Sequence, residues 1–103
     1  MVLALCFYAA SASSLAESTA YHKISRIKID GGNGYIYFQA EGGSWEAPSC
    51  NAGAYAYVVP SENTSADRIL SVALAAKMAG KRVLFDGGCD ASTYFKATNL
   101  WLE

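Results

Sequence analysis

Tyr57-Val58-Val59-Pro60, followed by Thr64-Ser65-Ala66-Asp67-Arg68-Ile69-Leu70-Ser71-Val72-Ala73-Leu74-Ala75-Ala76-Lys77-Met78-Ala79-Gly80-Lys81-Arg82-Val83, is the stretch that decides the fold. A strand ends at a proline, one helix runs without a glycine or proline, and a new strand begins straight after Gly80. Thr64 or Ser65 can cap the start, with Asp67 placed to complete a capping-box-like first turn. Gly80 stands where a left-handed residue closes a helix, and Lys77, Lys81 and Arg82 complement the dipole there. The spacing predicts a helix over 65–79, a rod of roughly 22 Å at 1.5 Å per residue.

Working upstream, Lys23 to Asp30 alternates imperfectly, and the break between Ile24 and Ile27 suggests a bulge. Asp30-Gly31-Gly32-Asn33-Gly34 is built of residues that tolerate positive φ and closes a hairpin. Tyr35 to Ala40 then alternates cleanly, with Ile36, Phe38 and Ala40 opposite Tyr35, Tyr37 and Gln39. Glu41 to Gly53 is a loop holding Trp45 and Cys50, and Ala54 to Val59 is a third strand. Downstream of the helix, Arg82 to Asp86 is a fourth strand, Gly87 to Asp90 a turn, and Tyr94 to Leu102 a fifth strand.

The fold class is therefore α+β, mostly β. The order β-β-β-α-β-β is that of a five-stranded OB-like barrel with its helix between the third and fourth strands. An open α+β sheet covered by one helix is the rival. The expected core is Ile27, Ile29, Ile36, Phe38, Val58, Ile69, Ala73, Val83, Phe85, Phe95 and Leu100.

Val2 to Ala10 is a nine-residue apolar run followed by small residues, the layout of a secretory signal, with Ser14 and Ala16 at the −3 and −1 positions. No Lys or Arg precedes Lys23, so a basic n-region is missing, and an N-terminal core helix is the alternative. The domain reading is a signal peptide over 1–16 and one OB-like domain over 17–103. Removing 16 residues from 103 leaves 87, a size at which the hydrophobic core alone is marginal. Cys6 leaves with the signal, and Cys50 with Cys89 reads as one disulfide of an exported, secreted or periplasmic chain. Two buried free thiols are the alternative. A metal pair fits poorly, since His22 is remote and no Cys-x-x-Cys spacing occurs.

Composition excludes whole classes. With 52% hydrophobic and 13% aromatic residues the chain is not disordered, and its net charge of −1 leaves no footprint for nucleic acid. No apolar run reaches the roughly 20 residues a membrane helix needs. Enzymatic chemistry is thinly supplied: His22 is the one histidine, and no nucleophile elbow occurs. Asp86 and Asp90 lack calcium-loop spacing and read as a solvated turn. Asn63-Thr64-Ser65 matches a glycosylation sequon but reads more simply as a helix start. No catalytic residue, metal or cofactor is expected.

The quoted helix–Gly–Lys–strand segment, with Gly88-Cys89 after it, resembles small exported proteobacterial proteins. More distantly, it is similar to the OB-fold B subunits of subtilase- and pertussis-type toxins. The resemblance covers roughly Ile24 to Leu102 in layout and implies a secreted, disulfide-stapled, pentameric binder of cell-surface glycans. It carries no sugar-contacting residue across by position. The residues themselves offer Tyr35, Tyr37, Tyr55 and Tyr57 on one sheet face with Trp45 in a neighbouring loop. Such side chains present an apolar body and a polar tip to a sugar ring. Plain cross-strand packing explains the same pattern, and base stacking is a weaker third option. On the helix, Leu70, Leu74 and Met78 form a second apolar row beside Ile69, Ala73 and Ala76. Either the chain's own loops cover it or it meets neighbouring subunits of a homo-oligomer. The expected function is a secreted non-enzymatic binding module for a glycan, the alternative a small protein-binding or structural module using the same aromatic face.

Overall fold

The computed structural model describes residues 17–50, 53–90 and 94–103. Residues 1–16, read above as a signal peptide, lie outside the described residues together with Cys6. The elements are β1 (Glu17–Ser18), β2 (His22–Ile29), β3 (Ile36–Ala40), β4 (Tyr55–Val58), α1 (Ala66–Ala79), β5 (Arg82–Cys89) and β6 (Phe95–Leu102). The chain is α+β and mostly strand. Hydrogen bonding links the strands in the order β1-β5-β2-β3-β4-β6, and β5 also pairs with β6, so five strands close a ring. Four of its five junctions are antiparallel, and β4 with β6 is the parallel one. Among the described residues no helix is long and apolar enough to cross a membrane.

The bulge foreseen in β2 is present as a register shift between Ile24 and Arg26 against β3. It lets Ile24 and Ile27 both turn inward, while Ser25 donates to the Gln39 carbonyl at 3.1 Å. The hairpin turn follows, closed by Gly34 N donating to Asp30 O at 2.7 Å. Inside the ring, Phe38, Trp45, Phe85, Phe95, Val58 and Val83 are fully buried. Phe38 stacks on Phe85 at 5.1 Å, and Trp45 meets Phe85 edge-on at 4.9 Å.

Ile29 corrects the expected core. It is 59% exposed, because it sits on the last β2–β3 rung beside the turn, at the end of the packed interior. Ile27 and Leu100 are partly buried against the core rather than within it. The strand ends also move. Gly87 and Gly88 belong to β5, not to a turn, and just past the strand Asp90 N donates to Tyr94 O at 2.9 Å. The reason is a close approach: a Cβ on Gly87 would lie 2.0 Å from the Lys96 carbonyl, at a register shift between Asp86 and Gly87. Glycine here marks a bulge, not a turn.

Helix α1 buries Ala66, Ile69, Ala73 and Ala76 and ends at Gly80 with φ 69°, in the left-handed region. At its start Ser65 makes no side-chain cap bond, and the expected capping box does not form. Asn63 organises that turn instead, accepting from Ser65 N at 2.9 Å and donating to the Thr98 carbonyl at 3.1 Å. Among the described residues nothing closes over the second apolar row: Leu74 is 45% and Met78 86% exposed, and only Leu70 leans on the core. The Cys50–Cys89 disulfide joins the loop before β4 to the end of β5 across a Cα–Cα distance of 5.4 Å.

Candidate binding face

The pleat of β3 and β4 sends alternate residues to opposite sides of the ring wall. Ile36, Phe38, Ala40, Ala56 and Val58 point inward, which leaves Tyr37, Tyr55 and Tyr57 outside, with Tyr35 just before β3. Register then aligns a row across four strands, Lys28–Tyr37–Tyr57–Lys96. The parallel β4–β6 pairing brings in a fifth ring that sequence reasoning missed, Tyr94, at 5.3 Å from Tyr55. Its only signal in the sequence was its place at the head of the last strand.

The five rings pack on one another. Tyr57 stacks with Tyr35 at 5.8 Å and with Tyr37 at 5.6 Å, and Tyr37 meets Tyr55 and Tyr94 edge-on at 6.0 and 6.1 Å. The Lys28 ammonium lies 5.5 Å over the Tyr37 ring, a cation–π distance. Four of the rings are half-exposed and Tyr57 is buried. The Tyr57 hydroxyl donates to Asp90 Oδ2 at 2.7 Å. Burial pushes its pKa well above the ordinary tyrosine value, and the Asp90 carboxylate pushes it further. Tyr37 is raised as well, first by burial and then by Asp30. Among the described residues, the hydroxyls of Tyr35, Tyr37, Tyr55 and Tyr94 make no hydrogen bond. The cluster therefore turns ring edges and uncommitted phenol groups to solvent. The Asp30–Gly34 turn adjoins it at the β2–β3 end, and Asp90 touches it through Tyr57.

Trp45 does not join this face. Its side chain is fully buried, donates from Nε1 to the Phe38 carbonyl at 2.9 Å, and packs on Phe85. The expectation that it serves as a ligand-contacting residue is corrected: an indole satisfied by a backbone acceptor is a core residue. Its loop reads as surface because of its glycines, yet Gly42 and Gly43 bend the chain so that Trp45 folds back under the sheet, at φ 93° and 92°.

The polar groups weighed for chemistry are paired structurally. His22 Nε2 lies 2.8 Å from Glu46 Oε1. Asp86 accepts from Ser18 at 2.5 Å and from Trp101 at 2.6 Å; burial opposes ionisation, but the bonds from Ser18, Trp101 and Asn99 outweigh it and hold the pKa below the usual carboxylate range. Lys96 is ion-paired with Glu62. Donor atoms of Glu17, Cys50 and Cys89 lie within 4.8 Å of one another. With both sulfurs in the disulfide, the Glu17 carboxylate is the one ligand that trio offers, and it accepts from Ser49 at 2.6 Å. No protein-family model, curated protein or solved structure matches the chain.

Proposed function

We propose that the protein is an exported, non-enzymatic binding module that recognises a glycan on its tyrosine face. The supporting observation is the cluster itself: five tyrosines gathered on one outer wall, four with hydroxyls that make no hydrogen bond among the described residues. Phenols offer a sugar ring an apolar edge and a directed hydrogen bond together. The ring's connectivity supports an OB-like reading, since a three-strand meander, a helix and a final hairpin close through a parallel β4–β6 pairing. In OB barrels the second and third strands and their flanking loops take up oligosaccharides and oligonucleotides, and the tyrosines sit on the corresponding pair. The resemblance to toxin B subunits agrees with that ligand class. The disulfide is compatible with an oxidising, extracytoplasmic location.

The exposed row of Leu74 and Met78 supports self-association, which would repeat one weak site and raise avidity. A second reading has its own observation. Because Tyr35, Tyr37 and Tyr57 stack on each other, few ring faces are free, and a comb of tyrosine edges also suits a protein surface. A glycan array probed with the wild type and with Tyr37→Ala, each checked for folding and oligomeric state, separates the two. Signal from the wild type that Tyr37→Ala loses supports the glycan. Silence from a folded, oligomeric wild type transfers the face to a protein partner.

A further inference from the structure

Asp90 and Lys96 each belong to two features. Asp90 accepts the Tyr57 hydroxyl, and Lys96 is the register neighbour of Tyr57 on β6. Both also line an open groove of about 1000 Å³ that runs between the loop after β4 and the β5–β6 hairpin. Glu17 and Ser18 of β1 line it as well. The tyrosine face therefore continues into a groove along one side.

We propose that face and groove form one continuous track, and that its ligand is a linear saccharide of several residues without acidic groups. This rests on the glycan reading above and specifies its ligand. Length is the first argument. The row from Lys28 to Lys96 crosses four strands, roughly 14 Å at the usual strand spacing, and the groove extends it. A single sugar would leave most of that surface empty. Chemistry is the second. Beyond the tyrosines the lining changes to Thr64, Thr98 and Asn99 over the glycine backbone of Gly87 and Gly88, which suits a hydroxyl-rich chain better than an apolar one. Charge is the third. The groove carries the carboxylates of Glu17, Glu62, Asp86 and Asp90 against the Lys96 ammonium, which is already held by Glu62. A field of that sign turns away uronate, sialyl and sulfated sugars and tolerates neutral or amino-bearing ones.

The test uses soluble oligosaccharides, so that bridging between subunits is not read as a length effect. Neutral, amino and acidic series, from single sugars to hexamers, are titrated calorimetrically into the wild type, Tyr37→Ala, Thr64→Trp and Asn99→Ala. Thr64 is exposed and lines the groove, so an indole there fills the track. The expected result is an affinity that rises about tenfold or more from single sugars to tetramers. Thr64→Trp should erase that gain while sparing the single-sugar signal, and Tyr37→Ala should lose both. Should Thr64→Trp fail to fold, Asn99→Ala tests the groove by removing one of its polar contacts, and the length gain should then shrink rather than vanish. No binding of any series to a folded wild type removes the glycan reading and the track together. Equal binding of short and long chains, full retention of the length gain in the groove variants, or binding confined to acidic sugars overturns the track and leaves the glycan reading in place.

Discussion

The two faces of the β3–β4 pair use aromatic residues in opposite ways. Inside, Phe38 and Trp45 are fully buried and packed on Phe85, and the one polar atom of the group, Trp45 Nε1, is satisfied by a backbone carbonyl. Outside, five tyrosines touch each other yet leave four hydroxyls without partners among the described residues. The inner set is complete as it stands, while the outer set has hydrogen-bonding capacity left over. Aromatic content alone does not separate the two sets; burial and hydrogen-bond satisfaction do.

Breaking the inner face should cost most. Trp45→Ala should destabilise the fold by about 3–5 kcal/mol, since it opens a cavity and orphans the Phe38 carbonyl. Chemical denaturation measures this, and a loss under ~1 kcal/mol would return Trp45 to the surface. Tyr57→Phe comes next, at about 1.5–3 kcal/mol, because it removes a hydrogen bond to a charged group.

The same residue sharpens the comparison with pH. The pKa of Tyr57 is raised in the folded state, so its stabilising contribution is present below the ordinary tyrosine value of about 10 and lost as pH climbs above it. Tyr57→Phe should therefore flatten the alkaline limb of a stability–pH curve, and an unchanged limb would count against the Asp90 bond. Tyr37→Ala should cost only about 1 kcal/mol of stability, the scale of a few aromatic contacts at a half-exposed site, while removing ligand binding. A stability loss as large as that of Trp45→Ala would make the outer cluster a second core. Met78→Glu, at an 86% exposed helix position, should change monomer stability by less than about 0.5 kcal/mol. Light scattering then reports whether that row holds subunits together.

Much of the architecture was legible because it depends on near neighbours. The helix and its glycine terminus, the hairpin turn at Asp30–Gly34, the β2 bulge and the inward alternation of β3 all follow from short-range periodicity and residue conformational preferences. The pairing of Cys50 with Cys89 was legible too, by counting cysteines in a chain read as exported. The alternation also placed four tyrosines on one side. What it could not supply was depth and closure. Ile29 and Trp45 exchanged their expected places, one to the surface and one to the core. Burial depends on how many layers lie over a position, and that is set by distant segments. Gly87 and Gly88 looked like a turn because the need for a glycine at 87 comes from Lys96 across the β5–β6 ladder. Tyr94 and Asp90 reach the tyrosine cluster through the parallel β4–β6 junction, a pairing between segments separated by a helix and a strand. Local chemistry chose the elements and their faces; the long-range strand pairing that closes the ring decided which side chains share a surface and which are shut away from it.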